Sequence, residues 1–446
     1  MANRGKTACG ETILPEAGMD ETLKKRIIGV DSGEEEHSMV VLEGDGTAGA
    51  WQSVGNSCVE VRKALESLRR EMPRGTTLQL VVDSRRSLNA VVVRVAIELG
   101  LEVWQVNPVA VERFREVEGQ PRKDDDQDAF LNARMRYMGA QGCRLLADPR
   151  PQEIQLCRLT RLHTRLTEQR TTALNRIRSC LVELSPEVLR RDWEGPMWKS
   201  PGMRAVLQRW PAFDGLDRAR PSSIEQVLRK AGSRRPVDVQ ARVLKEVAKR
   251  IHLTEGEREI MSLELKVLVD EVRWLNESLT DIDHRIRKQV LEHPIARKLL
   301  DMPGVGPFVA AVLIGELLPL ARNLTEAEAA TYAGLTPLSR KSGKGGKRPR
   351  LARKVNKRLT HALYLSAVSA RKGSVLDATY YTKQVQNHAG HPVPHIVANI
   401  ALARQRFKVM YKLLTSDAVY DEEILIASYL DRRGRASAAH HQSHAA

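Results

Sequence analysis

Between Met261 and Ile286 the apolar residues Met261, Leu265, Leu268, Val272, Leu275, Leu279, Ile282 and Ile286 step alternately by four and three. Residues three and four apart share one side of an α-helix, so this spacing demands a long helix with a partner and excludes a strand. At about 1.5 Å per residue, a helix from Arg258 to Val290 is roughly 50 Å long, which makes it an arm rather than a core element. A facing stretch lies upstream, where Leu159, Leu162, Leu166, Leu174, Ile177, Leu181 and Leu184 repeat the seam with one stutter. The two are read as an antiparallel coiled coil, either a helical hairpin within one subunit or an arm that joins copies into a dimer or tetramer.

This helical region, 146–293, divides the chain. It is interrupted at 185–252 by Trp193, Pro196, Trp198, Pro201, Trp210 and Pro211, a stretch read as two short helices and otherwise without a role. Residues 1–25 form a polar, flexible start. Residues 26–145 form an α/β domain, 294–420 an all-α domain, and 421–446 a tail expected to be disordered from about residue 432 onward. The fold class is therefore α/β plus all-α.

In the α/β segment, Arg26 to Asp31 and Leu78 to Asp83 are apolar strands, each ending in an acid. Ser38 to Glu43 reads as a hairpin partner of the first, Leu101 to Val106 as a third strand, and Val59–Met72 and Leu88–Leu99 as helices, together a mixed α/β sheet. After the third strand comes Lys-Asp-Asp-Asp-Gln-Asp-Ala, from Lys123 to Ala129. With a helix starting near Asp124, Asp125 and Asp128 share a face. Two carboxylates about 5 Å apart at an effective dielectric of about 20 repel by roughly 3 kcal/mol, so gathering several calls for a cation. The block is either half of a metal site or a solvated acidic helix start that favours the helix dipole. Together Asp31, Asp83, Asp125 and Asp128 form an all-oxygen set suited to Mg²⁺ or Mn²⁺ and to phosphodiester chemistry.

An acidic site is out of character with the whole. Lys and Arg number 71 against 55 acids, a net charge of +16, which points to a nucleic-acid partner. Aromatics make up only 4%, so phosphate contacts on duplex DNA or structured RNA are expected before base stacking. No long apolar stretch reads as a membrane span, the polar start is unlike a signal peptide, and a cytoplasmic protein is expected. Five cysteines without a CxxC spacing indicate neither a disulfide framework nor a zinc site.

In the last domain, Asp301-Met302-Pro303-Gly304-Val305-Gly306-Pro307 separates two helices. Such a turn is either a plain αα-corner or a helix-hairpin-helix-like element whose backbone N–H groups at Gly304 and Gly306 hold a DNA phosphate. Farther on, Arg340 to Arg358 hold ten basic residues (Arg340, Lys341, Lys344, Lys347, Arg348, Arg350, Arg353, Lys354, Lys357 and Arg358) and no acid. This run is the strongest phosphate-binding signal in the chain. Ser342 lies inside it. By residue chemistry alone Ser342 is one loop serine among many.

Read in order, Gly29-Val30-Asp31, the acid after Leu80–Val82, Val106-Asn107-Pro108, Lys123/Asp125/Asp128-Ala129, Met302 to Pro307, and Ala333-Gly334-Leu335-Thr336-Pro337 followed by Ser342-Gly343 resemble the DEDD-type transposases of bacterial insertion sequences. The resemblance covers residues 26–140 and 294–415. It implies a RuvC-like (RNase H fold) N-terminal domain, a coiled-coil linker and a C-terminal domain bearing a catalytic serine. It further implies a DNA recombinase that cuts and rejoins an element at its target. Asp31, Asp83, Asp125 and Asp128 would be its metal-binding catalytic residues and Ser342 its nucleophile, with Ser339 the alternative. The serine would form a phosphoserine link to DNA, and a structured RNA encoded by the element would act as guide. The chain departs from the family pattern at Asp83, where a Glu is usual, and at Val355-Asn356 and Thr360. A RuvC-like nuclease with no use for Ser342, and a nucleic-acid-binding protein inactivated at Asp83, are the competing readings.

Overall fold

A computed structural model describes residues 25–72, 75–83, 87–119, 124–140, 142–146, 150–189, 200–233, 236–338, 350–351 and 355–424. They fall into two compact units, 1–149 and 150–446.

The first unit is built on a six-stranded sheet of order β3-β2-β1-β4-β5-β6: β1 (Lys25–Ser32), β2 (Glu36–Leu42), β3 (Ala48–Gly55), β4 (Thr77–Val82), β5 (Glu102–Val106) and β6 (Cys143–Leu145). β1 pairs in parallel with β4 and β4 with β5, while β2 is antiparallel to both β1 and β3. Within the first five strands this is the 3-2-1-4-5 order of the RNase H fold, and the α/β expectation holds. β6 adds an antiparallel edge. Helices α1 (Cys58–Arg70) and α2 (Ala90–Glu98) cover one face, and α3 (Pro108–Val117) and α4 (Asp125–Tyr137) the other.

Strand alternation decides what each face carries. Ile28 and Val30 of β1 and Leu80 and Val82 of β4 pack in the core under α1 and α2. Ile27 and Val81 pack in the core under α4. Gly29, Asp31 and Asp83 share the parity of Ile27 and Val81, so both strand-end acids emerge on the face that α4 covers.

The second unit is helical. Its two long helices, α5 (Pro151–Leu184) and α9 (Glu255–Glu292), pack along each other more extensively than any other pair. They run antiparallel, because His163 meets Asp283 at 3.3 Å and Arg170 donates to Asn276 Oδ1 at 3.3 Å. Leu265, Leu268, Val272, Leu275, Leu279, Ile282 and Ile286 are all buried along the seam. On the upstream helix Leu166, Ile177, Leu181 and Leu184 are buried as expected and Leu159 and Leu174 half-buried, but Leu162 is 41% exposed, and Leu156, Thr160 and Ala173 are buried in addition. The segment between the long helices contributes three helices rather than the expected two, α6 (Pro201–Arg209), α7 (Pro221–Lys230) and α8 (Val237–Lys249). Met203, Leu207, Ile224, Leu228, Leu244 and Val247 pack with Ile177, Leu181 and Leu265 in one apolar cluster. This interruption is a capping bundle on the far end of the arm.

The near end packs on α10 (Ala296–Leu300), α11 (Pro307–Val312), a π-helical turn (Leu313–Leu317), α12 (Leu318–Ala321), α13 (Glu326–Tyr332), α14 (Lys357–Ala370), α15 (Val375–Asn387) and α16 (Pro394–Thr415). Strands β7 (Pro337–Leu338) and β8 (Arg350–Leu351) pair and close the ends of the basic loop. No helix among the described residues is long and apolar enough to cross a membrane.

Candidate functional site

The parallel register of β1 and β4 matches Ile27 with Gln79 and Gly29 with Val81. Two residues further along, at the carboxyl ends of two central strands, come Asp31 and Asp83. That crevice is where open α/β sheets bind ligands. α4 crosses the same face. Its N-cap is Asp124, whose carboxylate accepts from Gln127 N at 2.7 Å, so Asp125 and Asp128 fall in the first turn. Asn132, one further turn along, is buried and donates to Val30 O at 3.0 Å, which pins the helix to β1 beside Asp31.

The four aspartates feel one another. Burial pushes the Asp31 carboxyl up to about 6, and the charges of Asp128, Asp125 and Asp83 push it in the same direction. Neutral side chains hold Asp83. Asn89 is 4% exposed and donates to Asp83 Oδ1 at 2.7 Å, while it accepts from Ser32 Oγ at 2.6 Å, bridging the two strand ends. Gln105 Nε2 on β5 donates to the Asp83 carbonyl at 3.1 Å. Asp128 is ion-paired with the buried guanidinium of Arg115 on α3.

Among the described residues no group of three His, Cys, Asp or Glu side chains is arranged to hold a metal ion. The donor chemistry nevertheless fits one. A half-buried carboxyl that feels three further carboxylates is a hard-oxygen set, and their mutual repulsion is what a divalent cation relieves. Asp31 feels the charges of Asp128, Asp125 and Asp83, in that order, and Asp128 is at the same time ion-paired with Arg115. Arg115 and Asn89 had no sequence signal as partners. Asn132 did, since it continues the 125/128 face of the helix.

The expected nucleic-acid residues divide differently. Ser342, Ser339, Lys341, Lys344, Lys347, Arg348, Arg353 and Lys354 lie outside the described residues, and of Arg350 only the backbone, in β8, is described. Gly304 adopts φ +77°, and a Cβ there would stand 2.5 Å from Ser366 O and 2.6 Å from Ala370 N of α14. Its glycine is required by packing, and the turn is held from behind by Arg406, which donates to Pro303 O and pairs with Asp377. Gly306 is exposed, with open space where a Cβ would be.

Comparison with known proteins matches residues 28–186 to a transposase family model of the DEDD type found in IS110 elements, and residues 296–382 to the transposase family of IS116, IS110 and IS902. Among curated relatives, an uncharacterised 43.6 kDa protein of insertion element IS110 from Streptomyces coelicolor is 26% identical over 89% of this chain and 96% of its own length. An uncharacterised 44.8 kDa protein of IS116 from Streptomyces clavuligerus is 24% identical over 88% and 95%. The mini-circle putative transposase for IS117 of S. coelicolor is 23% identical over 90% and 97%. Among solved structures, Thermus thermophilus RuvC in complex with a Holliday junction substrate aligns over 27% of this chain and 99% of its own, at 19% identity and a TM-score of 0.21.

Proposed function

Because the chain belongs to the DEDD-type transposases of insertion sequences, we propose that it cuts and rejoins DNA with two chemistries, a divalent-cation centre at Asp31, Asp83, Asp125 and Asp128 and a nucleophile at Ser342. The observation that carries the first is the proton affinity of Asp31, raised by burial and by its three acidic neighbours. A bound cation supplies charge neutralisation on phosphoryl oxygens and a lower pKa for an attacking hydroxyl. Asp31 and Asp83 hold their positions on rigid strand ends, Asn89 fixes the Asp83 carboxylate, and Asn132 fixes α4. Arg115 holds the Asp128 carboxylate in an ion pair.

The serine reading is supported by the second matched domain, which spans 296–382 and includes the basic run. In it the Ser342 hydroxyl replaces one deoxyribose oxygen on the scissile phosphorus. The test is a denaturing gel of protein incubated with Mg²⁺, the DNA of the element's ends and its flanking RNA. A covalent protein–DNA adduct is expected from the wild type and is expected to vanish in Ser342→Ala; cleavage that persists undiminished in that variant would leave a metal-dependent nuclease as the function. Guidance by a structured RNA is supported only by the chain's basic excess. Self-association is supported by a second apolar stripe on α9, Ile260, Leu263, Val267 and Trp274, all exposed at heptad-like steps.

The metal centre gives a pH-dependent expectation. Folding raises the Asp31 pKa from 3.8 to about 6. Its contribution to stability is therefore present below 3.8 and lost as pH rises through about 6. A cation prefers the ionised carboxylate, so the stabilisation it brings grows over the same interval. Millimolar Mg²⁺ is expected to raise the melting temperature at pH 7.5 by on the order of 5 °C and to have almost no effect at pH 5. An equal shift at both pH values, read by differential scanning fluorimetry, would count against Asp31 as a ligand.

A further inference from the structure

The α11–α12 helix widens into a π turn at Leu313–Leu317, a rare irregularity that places Glu316 inside the fold with its side chain only 3% exposed. Arg161 of α5 grips this carboxylate with two bonds, Nε to Oε1 at 2.6 Å and Nη2 to Oε2 at 2.8 Å. That pair is already neutral. Arg358 nevertheless donates Nε to Oε1 at 3.2 Å, and Asn356 donates Nδ2 to Oε2 at 3.1 Å. Asn356 is also the N-cap of α14, accepting from Leu359 N at 3.2 Å, and its backbone N–H is tied to Tyr332 O at 3.0 Å. The cluster therefore sits where the chain leaves the basic loop, a few residues beyond β8.

Its charge is unbalanced. Two guanidiniums share one carboxylate, leaving a net positive charge. The first turn of α14 adds Lys357 and contains no acid, so cations stand at the positive end of the helix dipole. A purely structural lock would need one arginine, and nothing in the first turn of α14 compensates the second. The Arg358 side chain is 40% exposed and that of Arg161 25%. Arg161 is fixed to the buried carboxylate by two bonds and Arg358 by one, and both side chains remain partly exposed. A guanidinium held this way presents its donors in a set geometry that matches phosphate oxygens.

We propose that Arg358 and Arg161, fixed by Glu316, form a docking site for a DNA phosphodiester at the foot of the loop that carries Ser342. The assignment rests on the DNA-recombining reading above and deepens it by naming where the backbone next to the reacting strand is held.

The test measures binding of the full chain to a DNA duplex of about 30 base pairs, and to an RNA duplex of equal length, over a salt series. Each phosphate contact contributes about 0.9 to the slope of log K against log salt. Arg358→Ala is expected to flatten the DNA slope by about that amount. Arg358→Gln keeps an amide for Glu316 without the charge and is expected to do the same; Arg358→Lys is expected to keep the wild-type slope. If the alanine and glutamine variants keep the wild-type DNA slope and lose only melting temperature, the cluster is a structural ion-pair network and the proposal is overturned. A slope change confined to RNA overturns it as well. Since none of these readouts needs the serine, loss of the adduct chemistry and loss of this site are separate results.

Discussion

Asp31→Asn is expected to abolish DNA cleavage while making the N-terminal unit more stable above pH 6, two effects of opposite sign from one atom pair. The amide keeps the size of the carboxyl and removes its charge. At neutral pH the native Asp31 is ionised although burial and the charges of Asp128, Asp125 and Asp83 disfavour that form. The amide escapes this penalty, so without metal the variant should melt higher than the wild type at pH 7.5 and equal to it near pH 4. Metal-assisted stabilisation of phosphoryl transfer is worth several kcal/mol, and each 1.36 kcal/mol is a factor of ten, so a fall of about a thousandfold or more is expected. Cleavage of a labelled element end and a thermal melt at two pH values check both halves. Retained cleavage would remove Asp31 from the site; a lower melting point would mean that its charge serves the fold.

Much of the placement of these aspartates was legible in the residues. Two apolar strands each ending in an acid, followed by a helix with Asp125 and Asp128 on one face, are local patterns, and parity along the strands suffices to put Asp31 and Asp83 under that helix. What escaped was non-local or weakly patterned. β3 (Ala48–Gly55) is an edge strand of small and polar residues, mostly exposed, so it lacks the apolar alternation that marks a strand. β6 is three residues long. The Arg115–Asp128 pair joins residues from two helices, and nothing in the spelling of either couples them. Glu316 reads as one polar letter in an apolar helix, and only the π turn and two distant arginines reveal a charged node. The heptad seam on α9 was readable because a single period runs through it. On α5 the stutter falls between Leu166 and Leu174, and ahead of it the buried face runs through Leu156, Cys157, Thr160 and Leu166, so Leu162 lies outside although it is apolar and correctly spaced from Leu166.

Gly29 ties the fold to the chemistry, and Gly29→Ala is the second substitution with a large expected effect. Gly29 sits in the middle of β1 on the α4 face, two residues before Asp31. A Cβ built there would stand 2.0 Å from the carbonyl oxygen of Ala129, 2.8 Å from Ala133 Cβ and 2.9 Å from Ala133 N. Two of these three atoms are helix backbone, so no change of rotamer relieves the contact. The helix itself must retreat by an ångström or more, and Asp125 and Asp128 go with it. Overpacking of this kind costs typically about 1–3 kcal/mol, which a domain of this size survives. Catalysis is less tolerant, because a misplacement of about 1 Å at reacting groups costs on the order of a hundredfold. Gly29→Ala is therefore expected to fold, as read by circular dichroism, with a lower melting point, and to cut DNA at least about a hundredfold more slowly. Its Mg²⁺-induced thermal shift at pH 7.5 should shrink in parallel. Ala133→Gly on the same background removes the Cβ contact and leaves the 2.0 Å clash with the Ala129 carbonyl, so it should restore little. Full activity in Gly29→Ala would show that α4 can move without disturbing the carboxylates, and that the close approach of strand and helix has no part in assembling the site.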